Sequence, residues 1–165
     1  MEDNELDITS LVEKYEHTRS LGKKMYFDAD EFAALADYYN TGGDNEEAEL
    51  LIEEGLKMHP GSPELMLMKV KMLVYAEQYE DALDFTRWIS DEGDLDLPLL
   101  KIESLLHLDR TDEAHQLIDQ TLEHDMNEED YYFFITEVGY LLNDVDQFDR
   151  AILLLEESMK TNPLN

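Results

Sequence analysis

Phe32-x2-Leu35-Ala36-x2-Tyr39, followed by Ala48-x3-Ile52 and then Pro60, is the stretch that decides the fold. The same pattern returns 103 residues later as Ile135-x2-Val138-Gly139-x2-Leu142, Ala151-x3-Leu155 and Pro163. Three periods of about 34 residues fill that gap. Ala82 and Ala114 sit between, so the alanines 48, 82, 114 and 151 are spaced 34, 32 and 37 apart. Two helices cross closely only where one presents a small side chain. Large neighbours three or four positions away then fill the space around the crossing. A single pair of helices cannot bury both of its faces, whereas a stack of pairs can. The pattern therefore predicts an all-α array of stacked helix pairs with a concave and a convex side.

Helix signals elsewhere fit this spacing. Residues 1–8 read as frayed, and Ser10 with Glu13 reads as a capping box for a leader helix ending near Leu21, with Gly22 as its stop. Tyr26 and Phe27 are expected to seat this leader, residues 1–28, on the first pair. Asp28 with Glu31 and Asp44 with Glu47 cap the next two helices, and Asn40-Thr41-Gly42-Gly43 is their turn. Met66, Val70 and Leu73 mark the following helix, which Ser62 caps and which carries Pro63 in its first turn. Tyr79, Ala82, Leu83, Phe85 and Ile89 mark the second helix of that pair, with Trp88 on it expected in a core or inter-repeat position. Pro98, Ile102, Leu105, Ala114, Ile118 and Leu122 define a third pair. The array of residues 29–165 thus divides at about 29–62, 63–94, 95–128 and 132–165. Asp91, Glu92, Asp94 and Asp96 form an acidic turn between the second and third.

Charge limits the choice of partner. Among 165 residues there are 41 acidic and 12 basic side chains, a formal net charge of -29. Such a surface repels phosphate backbones and anionic lipid, so nucleic acid and membranes are not expected partners. A basic or amphipathic protein or peptide is. There is no cysteine, which removes disulfides and thiolate metal sites. The acidic start leads into no apolar run, and no segment approaches the roughly 20 apolar residues of a membrane helix. A cytoplasmic setting is expected.

The repeated skeleton resembles the tetratricopeptide repeat (TPR), over residues 29–165. The resemblance implies a right-handed α-solenoid of antiparallel helix pairs whose first helices line a partner-binding groove. Lys69, Lys101 and Thr86 depart from the family pattern, and the lysine stems are expected to pack while their ammonium groups reach water. Helical spacing puts Ala33, Asp37 and Asn40 on the groove face, then Leu67, Lys71 and Val74 with Tyr75 at the edge. Leu99, Glu103 and Leu106 follow with His107 beside them, then Phe133, Thr136, Tyr140 and Asn143. Some chaperone-binding members of the family hold a C-terminal carboxylate with lysine and asparagine at such positions. Here Lys71 is the one basic residue among them, so carboxylate capture is not expected. Asp37, Lys71, Tyr75, Glu103, His107, Phe133 and Tyr140 are the candidate contacts for a peptide or helix.

No catalytic constellation emerges. There is no Gly-x-Ser-x-Gly elbow, phosphate loop or His-Glu-x-x-His. Asp144-x-Asp146 lacks the glycine and glutamate of a calcium loop, and Asp146 reads as a helix cap. No enzyme activity, metal or cofactor is expected. The leading expectation is a protein-binding scaffold. Self-association is the alternative, and an acidic mimic of nucleic acid ranks below it. Ile152-Leu153-Leu154-Leu155 is apolar all round the last helix, so Ile152 and Leu153 are expected to be covered by a second copy or by further repeats of a longer chain.

Overall fold

A computed structural model describes residues 7–22, 26–89 and 95–161, Thr161 by its backbone alone. The acidic turn at 91–94, the start at 1–6 and Pro163 lie outside the described residues. Nine helices are described: α1 Ile8–Ser20, α2 Ala29–Thr41, α3 Asn45–Met58, α4 Pro63–Tyr75, α5 Tyr79–Thr86, α6 Asp96–His107, α7 Thr111–Leu122, α8 Glu128–Asp144 and α9 Phe148–Thr161. No strand occurs among the described residues. The fold class is all-α, built of TPR-like helix hairpins. The chain divides into two compact units at Met72 and Leu73, within α4.

The repeat is written into the backbone of four turns. Gly43, Glu77, Asp109 and Asp146 each take a positive φ, at 84°, 58°, 57° and 60°. The next residue in each case, Asp44, Gln78, Arg110 or Gln147, sends its N–H back five residues to the carbonyl of Tyr39, Leu73, Leu105 or Leu142, at 2.8–2.9 Å. Its own carbonyl accepts the N–H of Ala48, Ala82, Ala114 or Ala151 at 2.9–3.1 Å. A left-handed residue closes one helix, and the small anchor is delivered one turn into the next. Asp146 therefore closes α8 rather than capping α9. A non-glycine residue in this conformation is strained by roughly 1–2 kcal/mol. Glu77→Gly relieves that strain but makes the unfolded chain more flexible. A net gain of about 0.5 kcal/mol is expected, read as a higher urea midpoint at constant slope. A lower midpoint would show that the Glu77 side chain contributes more than its backbone strain removes.

In the first unit, α1 begins earlier than its sequence suggests. Asp7 is the cap, accepting from Thr9 and Ser10 N–H, because its carboxylate reaches both orphan donors. Ser10 lies inside the first turn. Leu11, Val12 and Tyr15 are buried against Phe27, Phe32 and Leu35. Phe27 is buried, but its neighbour Tyr26 is 79% exposed, so of these two only Phe27 helps seat the leader. Asp28 and Glu31 form the expected capping box, with Glu31 accepting the Asp28 N–H at 2.9 Å. Gly55 marks a close approach of three helices. A Cβ there would stand 2.9 Å from Leu65 Cδ1 and 3.1 Å from Phe32. That contact selects Leu65 as the buried residue of early α4, while Met66 and Leu73 are only half-buried. Lys69 meets two half-exposed carboxylates of α3. Its ammonium pairs with Glu49 at 3.0 Å and Glu53 at 3.7 Å, and its side chain is 16% exposed.

In the second unit, α6 packs on α5, α7 and α8, and α8 packs on α9. Ile102, Ala114, Ile118, Phe134, Val138, Leu142 and Ala151 form the core. Gly139 lets α9 touch α8, since a Cβ there would lie 2.7 Å from Leu155 Cγ. Thr86, one of the departures from the repeat pattern, is buried with its hydroxyl donating to the Leu83 carbonyl at 2.7 Å. That internal bond removes the penalty of burying the hydroxyl. Trp88 is not a core residue. Helix α5 stops at Thr86, and Trp88 stands in the following turn, 77% exposed.

Candidate partner-binding faces

In the first unit a cavity of about 410 Å³ opens between α2 and α4, with side chains of α2 and α3 as its floor. The floor is made of small or apolar residues, Ala33, Ala36, Ala48 and Ile52. Leu67, Met68 and Met72 form one wall. Asp30, Asp37 and Glu64 bring carboxylates to the rim, and Lys71 brings an ammonium. Asp37 and Lys71, read from different helices, thus line one depression. Burial, and then the Asp30 carboxylate, push the Glu64 carboxyl above its ordinary range. Val74, near the end of α4, is buried and contributes packing. Tyr75, also on α4, is 85% exposed.

In the second unit Glu103 and His107 lie one turn apart on α6. The His107 ring stacks on Tyr79 with centroids 4.6 Å apart and planes 6° apart. Burial raises the Glu103 carboxyl, His107 offsets part of the rise, and Asp144 at the end of α8 adds to it. Tyr140, one turn before Asp144, is 56% exposed, and Phe133 is 46% exposed. Two groove candidates belong elsewhere. Leu106 is in the core. Thr136 turns toward α9, where its hydroxyl meets Ser158.

Helix α9 presents a second kind of surface. Ile152 and Leu153 are exposed, and Phe148 and Met159 are exposed with them. Phe148, Ile152 and Met159 fall within about 40° of one another around the helix, beside the face that packs on α8. The spacing of four and then seven residues was visible in the sequence. It was obscured there by the four-residue apolar run.

Among the described residues no helix is long and apolar enough to cross a membrane. Residues 29–72 match a family model described as a tetratricopeptide repeat. The match ends at Met72, where the first unit also ends. No similar curated protein and no similar solved structure was found. Tetratricopeptide repeats are in general protein-interaction modules, and the family is a non-catalytic scaffold family. The chain carries a tetratricopeptide repeat at residues 29–72, within an all-α array of hairpins that uses the same turn four times.

Proposed function

We propose that the chain is a non-enzymatic, cytoplasmic interaction module whose first-helix faces hold a basic or amphipathic peptide or helix of a partner protein. The α2/α4 cavity carries this reading, because it combines an apolar floor with an acidic rim. An amphipathic segment satisfies both, burying its apolar side and setting basic residues against Asp30, Asp37 and Glu64. On the α6/α8 face, Tyr140 and Phe133 supply rigid contact area and Glu103 a carboxylate that a cation would favour in its charged form. Nucleic acid and membranes are disfavoured by the charge of -29. The working division is a leader at 1–28 followed by four repeats at about 29–62, 63–94, 95–128 and 132–165.

Titration calorimetry with the partner tests this. Tyr140→Ala is expected to weaken binding by about 1–2 kcal/mol, and association is expected to slow as salt rises. Unchanged affinity in a folded Tyr140→Ala, Phe133→Ala double mutant would move the site elsewhere. A second reading, pairing of two copies through α9, is favoured by the exposure of Phe148, Ile152, Leu153 and Met159. Light scattering of the chain with and without Leu153→Glu decides it. A monomer at high concentration in both removes that reading.

A further inference from the structure

Asp37 also lines a second cavity, of about 740 Å³, between the start of α1 and the end of α2. Ile8 and Ala34 give it apolar walls, Tyr38 and Tyr39 aromatic ones, and Asp37 and Asp44 a carboxylate each. Three features here attract a cation. The first is the end of α2, whose carbonyls carry the negative pole of the helix, and α2 has no basic residue in its last turn to offset it. The second is the pair of carboxylates, with no basic side chain among the described residues that line the cavity. The third is the Tyr38 ring, 48% exposed. It meets Tyr39 edge-on at 5.4 Å, and Tyr39 meets the buried Tyr15 edge-on at 5.7 Å. That chain of contacts holds the ring in place before any ligand arrives.

The chemistry distinguishes between the two common cations. An ammonium is a compact, strongly hydrated point charge. A guanidinium is planar and weakly hydrated, stacks on an aromatic face and takes a carboxylate with two parallel hydrogen bonds. A wide notch with an aromatic wall beside carboxylates suits the second. We propose that this cavity receives an arginine side chain of the partner peptide, whose body lies in the neighbouring α2/α4 cavity. The proposal rests on the peptide-binding role above, and Asp37 connects the two because it lines both cavities.

The test is an amide-shift titration of the full chain by NMR, with N-acetyl-arginine amide as probe. N-acetyl-lysine amide and N-acetyl-citrulline amide serve as comparisons. Shifts are expected to cluster at residues 34–44, with arginine binding more tightly than lysine and citrulline giving none. Tyr38→Ala is expected to weaken arginine binding about two- to fivefold. Asp37→Asn should weaken it too, and so should Asp44→Asn, which keeps the cap on α3 while removing the charge. Shifts scattered over the acidic surface would overturn the proposal, as would equal binding of lysine or indifference to Asp37→Asn and Tyr38→Ala. Partner binding by Leu67→Ala, in the α2/α4 cavity, is measured in parallel. If arginine binds at 34–44 but Leu67→Ala leaves partner affinity intact, the peptide-binding role falls and the arginine notch stands. If Leu67→Ala weakens the partner but the arginine probe finds no notch, only the notch falls.

Discussion

Phe134→Ala is expected to remove about 3–5 kcal/mol of stability, whereas Phe133→Ala, one residue earlier, should change it by less than about 1 kcal/mol. The two side chains are chemically identical and differ only in direction. Phe134 is fully buried with Ile102, Val138 and Leu142, so truncation leaves a cavity that close-packed neighbours fill only in part. Phe133 is 46% exposed, and alanine there surrenders little packing. A loss of about 3–5 kcal/mol is a large share of the 5–15 kcal/mol typical of a folded domain, so Phe134→Ala should melt far earlier. Urea unfolding of both variants at 25 °C gives the comparison. Equal losses would mean that α8 is rotated relative to the structure described.

The second large effect centres on Glu47. Its carboxylate is buried, accepts a hydrogen bond from the Tyr15 hydroxyl and pairs with Arg19 at 2.5 Å. Burial, and then the hydrogen bond to Glu47, push the Tyr15 hydroxyl far above its usual range, so it stays a neutral donor. Glu47→Ala orphans that buried hydroxyl. It also leaves Arg19 without its partner, although Arg19 is 55% exposed on its side chain and recovers water. The exposed end reduces the effect below that of a fully buried pair, which breaks at a cost of about 3–5 kcal/mol. About 2–3 kcal/mol is therefore expected, typical of a hydrogen bond to a charged group. Glu47→Gln keeps an acceptor and should lose less. A cycle with Tyr15→Phe should show strong coupling, because the two groups share one bond. Additive losses would mean that the Tyr15–Glu47 contact contributes nothing of its own. Amide exchange of α1 should accelerate in Glu47→Ala, since this contact fastens α1 to α3.

The sequence was most legible where one local rule acts alone. Ala48, Ala82, Ala114 and Ala151 are all buried, as contact distance between helices requires. Capping chemistry placed the starts of α2 and α3 within a residue. What escaped notice depends on residues far apart in the chain. Glu47 at the third position of α3 reads as an ordinary capping acid, and only Tyr15, 32 residues earlier, explains its burial. Leu65 replaces Met66 in the core because Gly55 makes room for it on α3. Glu77, Asp109 and Asp146 close their helices in a conformation usually signalled by glycine, so three of the four turns carried no local mark. On the candidate faces, helical spacing separated Asp37, Lys71, Tyr140 and Phe133 from the core. It misplaced Val74 and Leu106, because the buried stripe on a helix with neighbours on two sides is wider than on a surface helix. Trp88 was misjudged because α5 ends two residues before it.

Site-specific photocrosslinking in native extract tests the central claim most directly. A benzophenone side chain is placed singly at Asp37, Tyr75 or Tyr140 on first helices, and at Leu50 or Gln116 on second helices, all of them exposed. The predicted result is a shared, net-basic protein adduct from the first-helix positions and none from Leu50 or Gln116. Adducts confined to the second-helix positions, or an adduct that is net acidic, would contradict a partner held on the acidic first-helix faces.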